Sequence, residues 1–178
     1  MKHIFYHLAA VMVVVVWGMT FISTKVLIVH GLSPQEIFLF RFLLAYAAVC
    51  PISFHRFFAR NLKDELYLVG GGVLGGSLFF FLQNMALGLT QASNVSFIIC
   101  TTPLLTAALT VLSVRMEKVS RGFIHGSIVA LLGVGLLIFN GSFILRISPL
   151  GDLLTLLASL SWAFYSLVIR SLTRKYSP

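Results

Sequence analysis

Two cations lie where cations are costly. Lys25 and Arg41 fall inside long apolar stretches, and an ionised side chain at the centre of a bilayer costs at least about 2.5 kcal/mol by insertion scales. Such groups pair, line a polar cavity or reach back to the interface. For Lys25, placed about 10 Å beyond the middle of its stretch, snorkelling and contact with a solute both stand. Arg41 is deeper, and Ala45 and Ala48 continue its face, which suits a bundle-facing guanidinium. Further polar side chains sit at a similar depth: Gln83, Asn84, Asn94 and Thr101. They hydrogen-bond between helices or touch a polar solute. Pro103 removes a backbone donor in mid-stretch, frees a carbonyl and permits a kink. Aromatic rings complete the set: Trp17, on one face with Thr20 and Thr24, and Trp162 with Tyr165. They pack or line a pocket.

This is recognition chemistry rather than catalysis. The acids Glu36, Asp64, Glu65, Glu117 and Asp152 all sit at or beyond the ends of apolar stretches, so no carboxylate pair is available at depth. There is no P-loop, hydrolase elbow or HExxH. His3 and His7 have helical metal spacing but no further ligands, and no cofactor motif is present. Two buried cations without a buried acid favour a solute carrying an anionic or polar group.

The elements that hold these residues are membrane helices. The chain has 178 residues, 58% hydrophobic and 10% charged, outside the soluble class. Six stretches are long enough to cross about 30 Å of hydrocarbon: 8–29, 37–54, 66–87, 92–114, 123–139 and 150–169. With no period-two alternation they read as helices. Turn signals at Gly31 to Pro34, Asn140 to Ser142 and Ser148-Pro149 separate them. The glycine-rich run Gly70 to Gly76 follows no strand, so it reads as a close-packing surface rather than a phosphate loop. The cysteines, Cys50 and Cys100, lie in apolar stretches and read as packing residues.

The net charge of +8 does not point to nucleic acid, because topology accounts for it. Lys2, Arg56, Arg60 and Lys63, then Arg115, Lys118 and Arg121, then Arg170, Arg174 and Lys175 fall on one side. Arg146 alone falls in a loop on the other. The positive-inside pattern therefore places both termini in the cytoplasm, with the protein multi-pass in the plasma (inner) membrane.

A Trp, a small residue and a cation eight positions after the Trp recur between the first and sixth stretches, at an offset of 145 residues. Five crossings separate the copies, so they run in opposite directions, as inverted transporter repeats do. The expected fold is an all-α integral membrane protein of about six transmembrane helices. Residues 1–142 form a five-helix repeat and 143–178 the start of an inverted second one.

The chain resembles the EamA family of the drug/metabolite transporter superfamily along nearly its whole length. The resemblance rests on Trp17-Gly18 with Thr20-Phe21, on Ser33-Pro34 leading to Phe40-Arg41-Phe42, and on Asn84 with Ala86-Leu87. Ala92-Ser93-Asn94, Pro103 and Glu117, then Gly126 and Gly133-Val134, and the Trp162-Ala163 restart complete it. Met116 stands where the family often has glycine. The resemblance implies about ten helices in two inverted halves that move small solutes. Four helices of the second half are missing here, so the expected partners are a small-molecule solute, the lipid bilayer and either a homodimer mate or a separate second half. An inactive or non-transporting membrane subunit is the alternative expectation.

Overall fold

Backbone amides that cannot reach water must be paired within their own segment, and the computed structural model meets this with helices alone among the described residues, 2–53, 61–113, 120–139 and 148–173. Several residues of the charge argument (Arg56, Arg60, Arg115, Lys118, Arg146, Arg174 and Lys175) lie outside them, as do Met116, Glu117 and Asn140 to Ser142. The elements are α1 (Lys2–Val29), α2 (Pro34–Ser53), α3 (Leu62–Gly71), a π-helical segment (Gly72–Leu78), α4 (Phe79–Leu89), α5 (Ala92–Ile99), α6 (Thr102–Ser113), α7 (Arg121–Phe139) and α8 (Pro149–Thr173). Four helical stretches among the described residues are long and apolar enough to cross a membrane: 4–29, 62–89, 92–113 and 149–173. The 20 residues of α2 and the 19 of α7 supply two more rods of about 30 Å.

The turns that sequence marked are closed by capping side chains. Gly31, at φ +100°, ends α1 in the left-handed region, and Leu32 N–H and Gly31 N–H bond back to Leu27 and Ile28 carbonyls, the pairing of a Schellman motif. Ser33 and Glu36 then form a reciprocal capping box: Glu36 N–H donates to Ser33 Oγ at 3.2 Å, and Ser33 N–H to Glu36 Oε2 at 2.8 Å. Pro34 and Pro149 occupy first helical positions, where a missing N–H costs nothing. Asn61 caps α3 by accepting from Asp64 N–H, and Ser120 caps α7 by accepting from Phe123 N–H.

The third span departs from the single helix expected over 66–87. Its glycine-rich stretch widens into the π-helical segment, where i→i+5 bonding takes more than 3.6 residues per turn. Residues spaced by four therefore stay in line, and one line meets α8 along its whole length. An added Cβ at Gly71 would lie 3.2 Å from Ile169 Cδ1, and one at Gly75 would sit on the ring of Tyr165. Phe79 stacks on Trp162 at 4.7 Å between ring centroids. Near the far end of the pair, Gly151 packs under Thr90. The two helices are thus antiparallel, fastened by Ser161 Oγ donating to the Leu74 carbonyl at 2.8 Å.

Other contacts fix the remaining directions. Trp17 meets Phe79 while Lys25 reaches Leu87, so α1 runs parallel to the third span. Phe42 meets Phe80 and Gln35 meets Met85, so α2 is antiparallel to it. Gly135 of α7 faces Phe97 of α5. The spans alternate, and the end carrying residue 4 is called the near end below. Apolar side chains such as Val11, Leu44 and Leu132 point outward and are more than half exposed, a surface suited to lipid.

Candidate functional site

An interrupted helix opens the site. Pro103 cannot donate a backbone hydrogen bond, and the fourth span, expected as one helix over 92–114, divides at Cys100 and Thr101 into α5 and α6. Thr101 Oγ1 turns back onto the Ile98 carbonyl at 2.6 Å. Beside the break lies a cavity of about 980 Å³ bounded by α1, α4, α5, α6, α7 and α8, at the upper end of the range for small-molecule sites. Val14, Trp17 and Phe21 of α1 form one wall, and Thr102, Pro103, Thr106 and Thr110 of α6 the opposite one. Phe79 and Trp162 close the back.

The aromatic rings form one contiguous cluster. Trp17 and Trp162 lie 5.3 Å apart between centroids, Phe79 touches both, and Tyr165 packs on Trp162 at 5.0 Å from outside the cavity. Phe79 is fully buried, which holds the cluster rigid. At the far end the cavity is sealed by a core of Phe21, Ala86, Leu87 and Val95, with Ile28 and Leu154 against it. At the near end the wall extends to Val14 and Ser120, and both of these and residues 4–13 of α1 are exposed. The far end of the cavity is thus packed, while Ser120 at the near end and Cys100 at mid-depth are exposed.

Most of the wall's hydroxyls are committed to their own helices. Ser96 donates to the Ala92 carbonyl, Thr106 to Thr102, Thr110 to Thr106 and Ser166 to Trp162. Two buried polar atoms of the described wall residues have no partner among the described residues: Trp17 Nε1 and Thr102 Oγ1. Among the described residues, none of the wall carries a charge.

The structure brings together only part of the set read from sequence. Trp17, Pro103 and Trp162 line the cavity. Thr20 lies on the same helix with its hydroxyl turned onto the Trp17 carbonyl at 2.6 Å, and Tyr165 and Thr101 sit just behind the wall. The two cations are engaged elsewhere. Lys25 Nζ donates to the carbonyls of Leu87 and Thr90, at 2.7 and 2.8 Å, placing an ammonium on the negative end of α4. Arg41 donates to Thr24 Oγ1 at 2.7 Å and lies over the Phe80 ring, 5.7 Å from its centroid. Gln83 and Asn84 are buried in the packed interior beyond Phe79, their amide atoms without partners among the described residues. Asn94 donates to Thr90 Oγ1. These five polar residues form a layer beside the cavity rather than its lining.

Sequence reasoning missed Phe79 and the hydroxyl ladder Thr102, Thr106, Thr110. The ladder was legible, being three threonines at i, i+4, i+8 directly after the Pro103 break. Phe79 carried no signal that set it apart from Phe80 and Phe81.

Comparison with known proteins agrees with this architecture. The family model of the EamA-like transporter family matches residues 4–139. An uncharacterized transporter of Bacillus subtilis (strain 168), YcxC, is 27% identical over 174 residues, covering 96% of this chain and 55% of that protein. The chain thus spans about half the length of the curated relative it matches. No solved structure gives a significant match. The chain, a multi-pass helical membrane protein, belongs to the EamA-like transporter family.

Proposed function

We propose that the chain supplies the solute-binding half of a secondary transporter, holding a small metabolite or drug in the cavity between α1, α6 and α8 and exposing it alternately to the two sides of the plasma membrane. One observation carries this reading: a cavity of about 980 Å³ beside an interrupted helix, with a packed core at its far end. Transporter sites are commonly built from such broken helices near mid-membrane. The near end is cytoplasmic in this reading, supported by Lys63, Arg121 and Arg170 at helix ends there. No reaction chemistry is assigned, and the polar groups at hand serve recognition. Residues 1–142 act as one repeat unit and α8 as the opening helix of its inverted partner. Alternating access needs a second unit, either further helices or a second copy in opposite orientation.

Reconstitution into liposomes tests this directly. Saturable flux of at least one member of a panel of amino acids, nucleotides and neutral drugs, lost in Phe79→Arg, is the expected result. Absence of flux for the chain alone and for its co-reconstituted antiparallel pair would overturn it. A second reading is a membrane subunit that does not itself transport. It predicts flux only when a separate second-half protein is co-expressed.

A further inference from the structure

We propose that the cavity selects uncharged, planar aromatic solutes bearing a hydrogen-bond acceptor, and that Trp17 Nε1 and Thr102 Oγ1 are the two groups that orient them. The inference rests on the cavity being a solute site, and it names the class of solute. It departs from the anionic or polar solute that two intramembrane cations suggested, because the structure commits both cations to protein partners. Lys25 is bound by two backbone carbonyls and Arg41 by Thr24. Neither lines the cavity.

Among the described residues, what remains in the wall is apolar, aromatic or hydroxyl-bearing, without a charge to pair with an ion. An ionised solute entering such a site surrenders its hydration with nothing to replace it. A flat aromatic body suffers no such loss and gains stacking against Trp17, Phe79 and Trp162. Orientation then falls to the polar atoms still available. Ser96, Thr106, Thr110 and Ser166 already donate to backbone carbonyls within their own spans. Trp17 Nε1 and Thr102 Oγ1 have no such partner among the described residues; both atoms are buried, and Thr102 is only 7% exposed, so a solute meets them once their side chains turn toward the cavity. A buried N–H without a partner is expensive, so a ligand carbonyl or ring oxygen that receives it gains affinity that a plain hydrocarbon lacks. The indole can only donate, whereas the threonine hydroxyl can donate or accept. The pair therefore asks for an acceptor at one position and tolerates either role at the other.

The protein's two tryptophans both stand in the wall, so its intrinsic fluorescence reports occupancy. The chain in lipid nanodiscs is titrated with coumarin, coumarin-3-carboxylate and N-methylquinolinium, with empty nanodiscs subtracted and affinities checked by equilibrium dialysis. Coumarin should quench saturably, and each charged analogue should bind at least tenfold more weakly. Thr102→Val and Trp17→Phe should each weaken coumarin about fivefold, the factor for one neutral hydrogen bond, and Thr102→Ser should restore affinity. Equal or tighter binding of either charged analogue, coumarin affinity unchanged in both variants, or no binding of any probe would each overturn the proposal. Coumarin binding that follows this pattern without flux in liposomes would refute transport by the chain alone and leave the site intact. Flux of a charged solute without coumarin binding would do the reverse.

Discussion

Replacing Lys25 with methionine keeps the length of the side chain and removes its charge and donors. In the structure the ammonium makes two bonds, 2.7 Å to Leu87 O and 2.8 Å to Thr90 O, on carbonyls at the end of α4 that have no helical donor left to meet them. Hydrogen bonds to charged groups contribute about 1.5–3 kcal/mol each, and because Lys25 is partly exposed the lower end applies. Two such bonds give a loss of about 2–3 kcal/mol. For a chain of this size each kcal/mol moves the melting temperature by about 2–4 °C. Lys25→Met should therefore melt about 4–12 °C below the parent in thermal denaturation followed by tryptophan fluorescence, and Lys25→Arg should recover part of the difference. Coumarin affinity should be unchanged. A Lys25→Met protein that melts with the parent yet loses affinity for a solute would refute the helix-end role and place the ammonium in the binding site.

Three further perturbations address the packing around that site. Gly75→Val places side-chain atoms on the Tyr165 ring and should destabilise by about 1–3 kcal/mol; Tyr165→Ala in the same chain should return part of it, and an unperturbed Gly75→Val would contradict the α8 contact. Gln83 is fully buried with neither amide atom partnered among the described residues, so Gln83→Leu should raise stability by about 1 kcal/mol, whereas a clear loss would reveal a partner for the amide. Glu36, in the turn ahead of the apolar stretch, is held below the usual carboxylate range by the Ser33 backbone N–H and then the Ser33 hydroxyl. Its contribution is present above the ordinary carboxylate value of about 4.3 and disappears as pH falls through the lower folded value. Glu36→Gln should remove that part of the acid sensitivity, read as a flatter dependence of melting temperature on pH between about 5 and 2.

The spans were legible because hydrocarbon imposes a length and a composition that sequence displays directly. The break at Cys100 and Thr101 was legible for a similar reason, since Pro103 lacks an N–H in any context. Lys25 was not. Sequence gives its depth, but the negative helix end that binds it is brought there by packing of α1 against α4. Gly71 and Gly75 announced a close contact without naming α8 as the partner. Which residues of α4 face the cavity was not legible, because sequence periodicity assumes 3.6 residues per turn and the π-helical segment shifts the phase between α3 and α4. Gln83 and Asn84, placed at the right depth, consequently face the packed interior, and Phe79 takes the cavity position.

Cys100 stands in the cavity wall, exposed and unpaired, and it offers the most direct test of a cavity packed at the far end and reached from the cytoplasm. In a Cys50→Ser chain, a membrane-impermeant thiol reagent is applied to inside-out and right-side-out vesicles, with denatured protein as the labelling standard. Cys100 should be modified from the cytoplasmic face, at a rate slowed by coumarin, and not from the opposite face. Labelling from the external face alone, or labelling at equal rates from both with no protection, would contradict it.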